Sequence, residues 1–442
     1  MTLTPYQPQL DWIAQQQAAM IALTEQWANI NSGSYNLAGL RTMRTALGEA
    51  FAPLGGVAEV IALAPITQIN AAGEAVEVPM AEALRITKRP EAKTQILLVG
   101  HMDTVYGIDH PFQKTRKLSD NIVNGPGVAD LKGGLAVMLY ALMALERSPY
   151  AANLGWQVLL NPDEEIGSAA SDPLLKEAAQ GKTLGLVYEP ALADGTLAGA
   201  RKGSGNFTLV VRGRAAHAGR NPEEGRNAIA ALADLTSQIF ALNGQRQGVT
   251  LNPGKIEGGG ALNVVPDLAI LRFNIRTREV ADEAWVMGEL EGILGRSGFT
   301  PTSRHPGESR DLRPHNLRLS TLPEIPAFAG MTDSRMDGFT AALHGHFTRK
   351  PKPISPEIQR VFDLVQSAGR ELGITLGVRP SGGCCDGNNL WHHGLPNVDT
   401  LGVRGANIHS DQEIAYLDSF TERAQLSALV LMKLGNYGGL EM

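Results

Sequence analysis

The stretch 94–107, TQILLVGHMDTVYG, runs apolar from Ile96 to Gly100 and then meets His101 and Asp103. An apolar run of strand length that ends on a polar cluster reads as a strand buried on both faces. GGLAVMLYALMALE (133–146) has the apolar-faced pattern of a helix packed against it, and GWQVLL (155–160) and LGLVY (184–188) read as two further buried strands. Strands separated by helices predict an α/β fold whose sheet is mostly parallel, with helices on both faces. In open sheets of this kind ligands collect beyond the carboxyl ends of the strands, and His101, Glu164, Glu165 and Glu189 all fall there.

Amphipathic patterns over about 10–28 and 37–51 predict helices before the sheet begins. From 205 to 350 the order changes to strand NFTLVVRG, helix NAIAALADLTSQIFAL, strands VTLNPGKIEG and AILRFNIRT, helix ADEAWVMGELEGILG and strand FTAALHGHF. That order, βαββαβ, is a ferredoxin-like unit. Helix SPEIQRVFDLVQSAGRELG, strand VDTLGV and a C-terminal helix from about Leu417 then restore the earlier alternation. The expectation is a discontinuous domain, 1–204 and 351–442, interrupted by an inserted domain, 205–350. Inside the insert, 305–335 is rich in Pro, Arg and Ser without clear periodicity and reads as a surface excursion. Its text, HPGESRD…IPAFAGMTDSR, resembles the translated form of dispersed palindromic repeats of bacterial genomes, and excising it joins SGFTPTSR to MDGFTAAL.

With 442 residues, 43% hydrophobic and 19% charged, the chain is long and apolar enough for two or three globular domains. A net charge of −6 without Lys/Arg blocks argues against nucleic-acid or anionic-membrane partners and for a small substrate. The N-terminal MTLTPYQPQLDWIAQQQ lacks a basic segment followed by an apolar one, which favours the cytoplasm. Cys384 and Cys385 are adjacent and cannot staple distant segments, which fits a reducing compartment.

His101 and Asp103 stand two apart, so on a strand they face one side, the usual pairing of a metal-ligating imidazole with the carboxylate that orients it. Alone, such a pair is more often an ordinary strand-end hydrogen bond. Asp130 lies in the glycine-rich turn GPGVADLKGG just before a helix, where an N-cap or Asx turn is the plain reading. Glu164 and Glu165 in NPDEEIGS put two like charges side by side after a buried strand, costly unless a cation offsets them, although a solvated turn would also serve. Adjacent carboxylates permit one to bind metal while the other acts as a base. Glu189 in VYEPAL and His409 in GANIHSDQE add two more candidates at strand and loop ends.

Taken in order, HMDTVYG, GPGVADLKGG, NPDEEIGS, YEP, ARKGSGNFTLVVRGRAAHAG, LNVVPD, SGG..DGN and NIHSDQE resemble the M20 family of zinc exopeptidases and deacylases, in the branch that includes glutamate carboxypeptidase. The resemblance implies two Zn2+ per chain, for which Co2+ can substitute. It implies Asp130 as the bridging ligand, His101 and Glu189 completing one metal, Glu165 and His409 the other, Glu164 as general base, and a cis peptide between Asp130 and Leu131. Two histidines and three carboxylates suit zinc, and Asp103 would fix the His101 tautomer.

The resemblance further implies that the inserted domain is a lid through which a homodimer forms, with His217 of RAAHAGRNP reaching the partner's site to stabilise an oxyanion. Asn263 and Arg276 match substrate-binding positions, Arg276 being suited to clamp a free carboxylate by paired hydrogen bonds. Gly382 and Gly383 would let backbone N–H groups approach the substrate. The cysteines that follow depart from the small or hydroxyl residues usual there; lacking a Cys/His signature, they read as packing residues. The function so implied is hydrolysis of an amide beside a free carboxylate, on a small-molecule or peptide substrate, as a glutamate-carboxypeptidase-like exopeptidase. The alternatives are an N-acyl-amino-acid deacylase and a metal-binding protein without catalysis.

Overall fold

The computed structural model of the chain describes residues 3–301, 332–336 and 338–439. They divide into two compact units, one of Met1–Ile66, Glu77–Lys202 and Arg349–Met442, the other of Thr67–Val76 and Gly203–Thr348.

The first unit is built on a six-stranded sheet in the order Val57–Ile61, Ala83–Lys88, Leu154–Asn161, Thr94–His101, Leu184–Val187, Asn397–Val398. The last four pair in parallel, and the first two join the edge antiparallel. Thr94–His101 is buried at every residue because both faces are covered. Its alternation splits the run between two cores: Ile96 and Leu98 pack with helices Lys132–Glu146 and Asp418–Tyr437, while Leu97 and Val99 pack with helix Asp172–Ala179. His101 stands opposite Asn161, and Val99 opposite Val187, so three carboxyl ends open along one edge of the sheet.

The antiparallel strands Val57–Ile61 and Ala83–Lys88 were not anticipated, and the exposure of four of the five residues 57–61 explains why: no buried face imposes an apolar period. The pattern over 10–28 is two helices, Gln7–Ala14 and Gln17–Ala28. Of VDTLGV only the start is strand, Asn397–Val398, because Asp399 turns into ion pairs with Arg201 and Lys352 and Thr400 has a φ of +67°.

The second unit has the expected βαββαβ order, with helices Ala228–Phe240 and Val280–Arg296 packed on strands Gly203–Arg212, Thr250–Gly258, Leu268–Thr277 and Phe339–Arg349. Two assignments change. Residues 305–331 lie outside the described residues, but Thr332–Met336, whose first four residues the sequence reading gave to the excursion, is a strand paired with Phe339–Leu343, the hairpin closing through Gly338 at φ +80°. Residues 67–76 go with this unit rather than the first: Ile69 packs on Val210 and Ile270, and Arg272 donates to the Ile69 carbonyl at 2.8 Å. Among the described residues no helix is long and apolar enough to cross a membrane.

Candidate metal centre

Five of the side chains named above meet at the carboxyl edge of the first unit's sheet. His101 ends its strand and turns Nδ1 toward Asp103, 3.0 Å from the backbone oxygen and 3.3 Å from Oδ1. That contact favours the proton on Nδ1 and aims Nε2 at the other acidic groups. Nε2 lies 3.2 Å from Asp130 Oδ1, 3.9 Å from Glu189 Oε1 and 4.0 Å from Glu164 Oε2. The second oxygen of Asp130 faces the other imidazole, 3.2 Å from His409 Nε2, which is also 3.1 Å from Glu165 Oε2. One carboxylate therefore stands between two donor groups, His101 with Glu189 and His409 with Glu165. His409 takes a φ of +64°, a conformation costly for a side chain with a Cβ and common at functional sites. The peptide bond between Asp130 and Leu131 is cis.

Burial and crowding shift the ionisation of Glu164, Glu165 and Glu189 upward. Burial, then the Asp130 charge, pushes Glu189 up to about 8 and raises Glu165 as well. Burial likewise raises Glu164 well above the carboxylate range, against the pull of Arg349. His409 is pushed up to about 11 by its bonds to Asp130 and then Glu165. Glu189 therefore largely keeps its proton at neutral pH in the metal-free chain, and a bound cation would offset the crowded charge. Glu189 Oε1 is buried without a hydrogen-bond partner, an orphaned acceptor aimed into the cluster. Two imidazole nitrogens with three carboxylates fit zinc, and two groups of three donors, His101–Asp130–Glu165 and His101–Glu164–Glu189, are each close enough to share an ion.

The cluster is supported by Asp103, which the sequence indicates, and by groups that it does not. Asp103 accepts from Ser34 Oγ at 2.7 Å and from the N–H groups of Glu164 and Glu165 at 3.2 Å each, so the carboxylate that orients His101 also places the adjacent pair. Glu413 accepts the N–H groups of Gly127, Ala129 and Asp130 and the Tyr106 hydroxyl. Arg349 donates to Glu164 Oε1 at 2.7 Å. Ser34 and Arg349 carry no motif of their own, whereas Glu413 is the last residue of NIHSDQE, four after His409.

Gly382 and Gly383 sit in an exposed turn held by Arg201, whose guanidinium donates to the Gly383 oxygen at 3.2 Å. A Cβ on Gly382 would meet nothing within 4 Å, so local packing does not demand that glycine. Cys385 is buried, its sulfur accepts the Gly387 N–H at the start of helix Asp386–His392, and burial pushes the thiol well up, which leaves it inert.

His217, Asn263 and Arg276 belong to the second unit. His217 bridges Val264, and Ala218 N–H donates to the Asn263 oxygen at 2.9 Å, so His217 and Asn263 share one exposed loop pair. His217 Nδ1 accepts from the N–H groups of Gly219 and Arg220, which directs the other nitrogen outward. Arg276 lies near the opposite end of strand Leu268–Thr277, its Nε donating to Asn274 Oδ1 at 2.9 Å.

An α/β sheet with a buried histidine, an exposed one and buried carboxylates converging beyond its parallel strands has the site of a metal-dependent hydrolase. Residues 97–433 match peptidase family M20/M25/M40, and the chain belongs to that family. Over 343 residues it is 28% identical to carboxypeptidase G2 of Pseudomonas sp. (strain RS-16), covering 77% of this chain and 74% of that protein. It is 27% identical over 272 residues to acetylornithine deacetylase of Pectobacterium carotovorum subsp. carotovorum (strain PC1), covering 58% and 66% of the two chains. The fold is also that of the M20 family metallo-carboxypeptidase Sso-CP2 from Sulfolobus solfataricus, with a TM-score of 0.68 at 16% identity over 94% of this chain and 99% of that one.

Proposed function

We propose that this hydrolase holds two zinc ions and cleaves an amide bond beside a free carboxylate, as a glutamate-carboxypeptidase-like exopeptidase. The observation that carries the reading is Asp130 standing between the two imidazoles, 3.2 Å from each, with Glu164 beside them. His101, Asp130 and Glu189 would hold one ion, and Asp130, Glu165 and His409 the other. The bound pair supplies Lewis-acid polarisation of a carbonyl and acidification of water. Cobalt would substitute for zinc in the same donor set.

Glu164 is the group left to move a proton. One of its oxygens is engaged by Arg349 and the other faces His101. It accepts a proton from the attacking water and delivers it to the leaving nitrogen as the C–N bond breaks, giving a carboxylic acid and an amine.

Arg276 is the cation for the substrate's free carboxylate, its guanidinium oriented through Nε by Asn274. His217 and Asn263 act on the scissile group. From Leu268 to Arg276 is eight steps along an extended strand, about 26 Å at ~3.3 Å per residue, and the His217–Asn263 pair lies beyond Leu268. One small substrate cannot be reached from both ends of that strand in the same chain, which supports a homodimer in which His217 and Asn263 serve the partner's site. Gly382 and Gly383 would border the substrate, and the unbridged cysteines accord with a cytoplasmic location.

The similarity to acetylornithine deacetylase supports one alternative, removal of an acyl group from an amino acid by the same chemistry. Zinc-loaded protein assayed on C-terminal-Glu dipeptides, folate-like conjugates and N-acetyl amino acids, each as free acid and as amide, decides between them. Preference for the glutamate conjugates as free acids is expected; equal turnover of the amides would refute the exopeptidase reading.

A further inference from the structure

The strand Phe339–Arg349 ends on a buried cation, the first residue of the last segment of the first unit. Arg349 is 6% exposed. Its Nη2 donates to Glu164 Oε1 at 2.7 Å, to the Glu164 backbone oxygen at 2.8 Å and to Ser168 Oγ at 2.9 Å. Behind it, Ser168 Oγ donates to Asp386 Oδ1 at 2.5 Å, that oxygen lies 3.5 Å from Arg349 Nη2, and Asp386 Oδ2 accepts from Asn161 Nδ2 at 2.8 Å. The chain of contacts thus runs from the end of a central strand, through a buried carboxylate and a hydroxyl, to the guanidinium and on to Glu164. Ser168 itself takes a φ of +57°, a backbone conformation in which its hydroxyl meets both partners.

We infer that Arg349, backed by Ser168 and Asp386, is a positioning residue for Glu164. It fixes one carboxylate oxygen and the backbone carbonyl of the same residue, so the second oxygen is presented toward His101 in a single orientation. The inference rests on the reading of Glu164 as the base. The Arg349 Nη2 donors are engaged by Glu164 and Ser168, and a buried cation paired to a carboxylate at 2.7 Å is more valuable for the geometry it imposes than for net stability. Misplacing a general base by a fraction of its reach is enough to slow a reaction without changing what binds.

The test uses full-length metal-loaded protein carrying Arg349→Gln, with Arg349→Lys in parallel should the first fold poorly. A crystal structure of either variant needs no substrate: the Glu164 carboxylate is expected to rotate from its place or split between conformers, and a carboxylate that stays where it was overturns the proposal. In kinetics, kcat should fall roughly tenfold or more with KM changed less than about threefold and metal content unchanged. Guanidinium added to Arg349→Ala should restore part of the loss. Repeated in a Glu164→Gln background, the Arg349 substitution should cost less than about threefold, because the group it positions is already disabled. A full additional loss there, a KM effect alone, or loss of metal from both Arg349 variants would each overturn the proposal. Undiminished turnover by Glu164→Gln alone would instead refute the reading of Glu164 as base.

Discussion

Glu413 accepts the backbone N–H of Asp130 at 3.1 Å. The same oxygen takes the Ala129 N–H at 3.0 Å, and the other takes the Gly127 N–H and the Tyr106 hydroxyl. Because Glu413 follows His409 by four residues, one buried carboxylate ties together the loops that carry two of the proposed ligands. Glu413→Ala would strand several buried donors, each worth about 1–3 kcal/mol when left unpaired. Thermal unfolding should show the metal-free variant destabilised by at least about 2 kcal/mol, and calorimetry should show weaker zinc binding. Glu413→Gln, which keeps acceptor oxygen, should fall between.

Metal binding should release protons. In the metal-free chain His409 sits at about 11, raised by Asp130 and then Glu165, and His101 lies well above its ordinary value, Asp103 and Asp130 prevailing over burial. At neutral pH His409 is a cation and Glu189, at about 8, largely keeps its proton, and each must lose it to ligate. For His409 the sign runs one way: its contribution to metal-free stability is complete below its ordinary value of 6.5 and is lost as pH rises through about 11. Zinc affinity should therefore rise with pH between about 6 and 8, and titrations in buffers of different ionisation enthalpy should report more than one proton released per chain. An affinity flat in pH would mean that both groups have already lost their protons.

The adjacent glutamates should separate by phenotype. Glu164→Gln is expected to keep its metal and lose about 10²–10⁴-fold in kcat, the range for a general base. Glu165→Gln, which touches His409 at 3.1 Å, should instead bind metal more weakly. Metal analysis beside steady-state kinetics reads both, and the reverse pattern would exchange the two roles.

The ligand candidates were legible because each ends a buried strand or sits in a glycine-rich turn, where an apolar run gives way abruptly to a carboxylate or an imidazole. Asp103 was legible for the same reason, through its two-residue spacing from His101. The roles of Glu413 and Arg349 were not: one closes the motif NIHSDQE beside a second acid, Asp411, the other is one of several cations in TRKPK, and only the folded chain reveals that each is buried against a proposed ligand or its neighbour. The exposed edge strand Val57–Ile61 escaped because half-solvated β-structure leaves little periodic trace. Residues 332–335 were misjudged because their pairing with 340–343 depends on a hairpin whose strand lacks an apolar alternation.

The proposed function assigns substrate recognition to the two ends of one strand. Arg276→Ala should mainly raise KM for free-acid substrates and leave amidated ones as poor as before. His217→Ala should lower kcat. If His217 serves the partner, mixing His217→Ala chains with Glu164→Gln chains should regain activity, since each hetero-dimer holds one intact pairing. Failure to complement with hetero-dimers confirmed would place His217 in its own subunit's chemistry or outside it.

The most direct test of the account is a zinc titration of chelated protein, with bound metal and hydrolysis of a C-terminal-Glu substrate measured together. The account predicts two zinc ions per chain, no activity in the metal-free protein, activity restored by zinc or cobalt, and the Asp130→Ala variant impaired at both sites because Asp130 faces His101 and His409 alike. Full activity in protein shown to be free of metal would contradict it, as would a single zinc ion per chain at saturating activity.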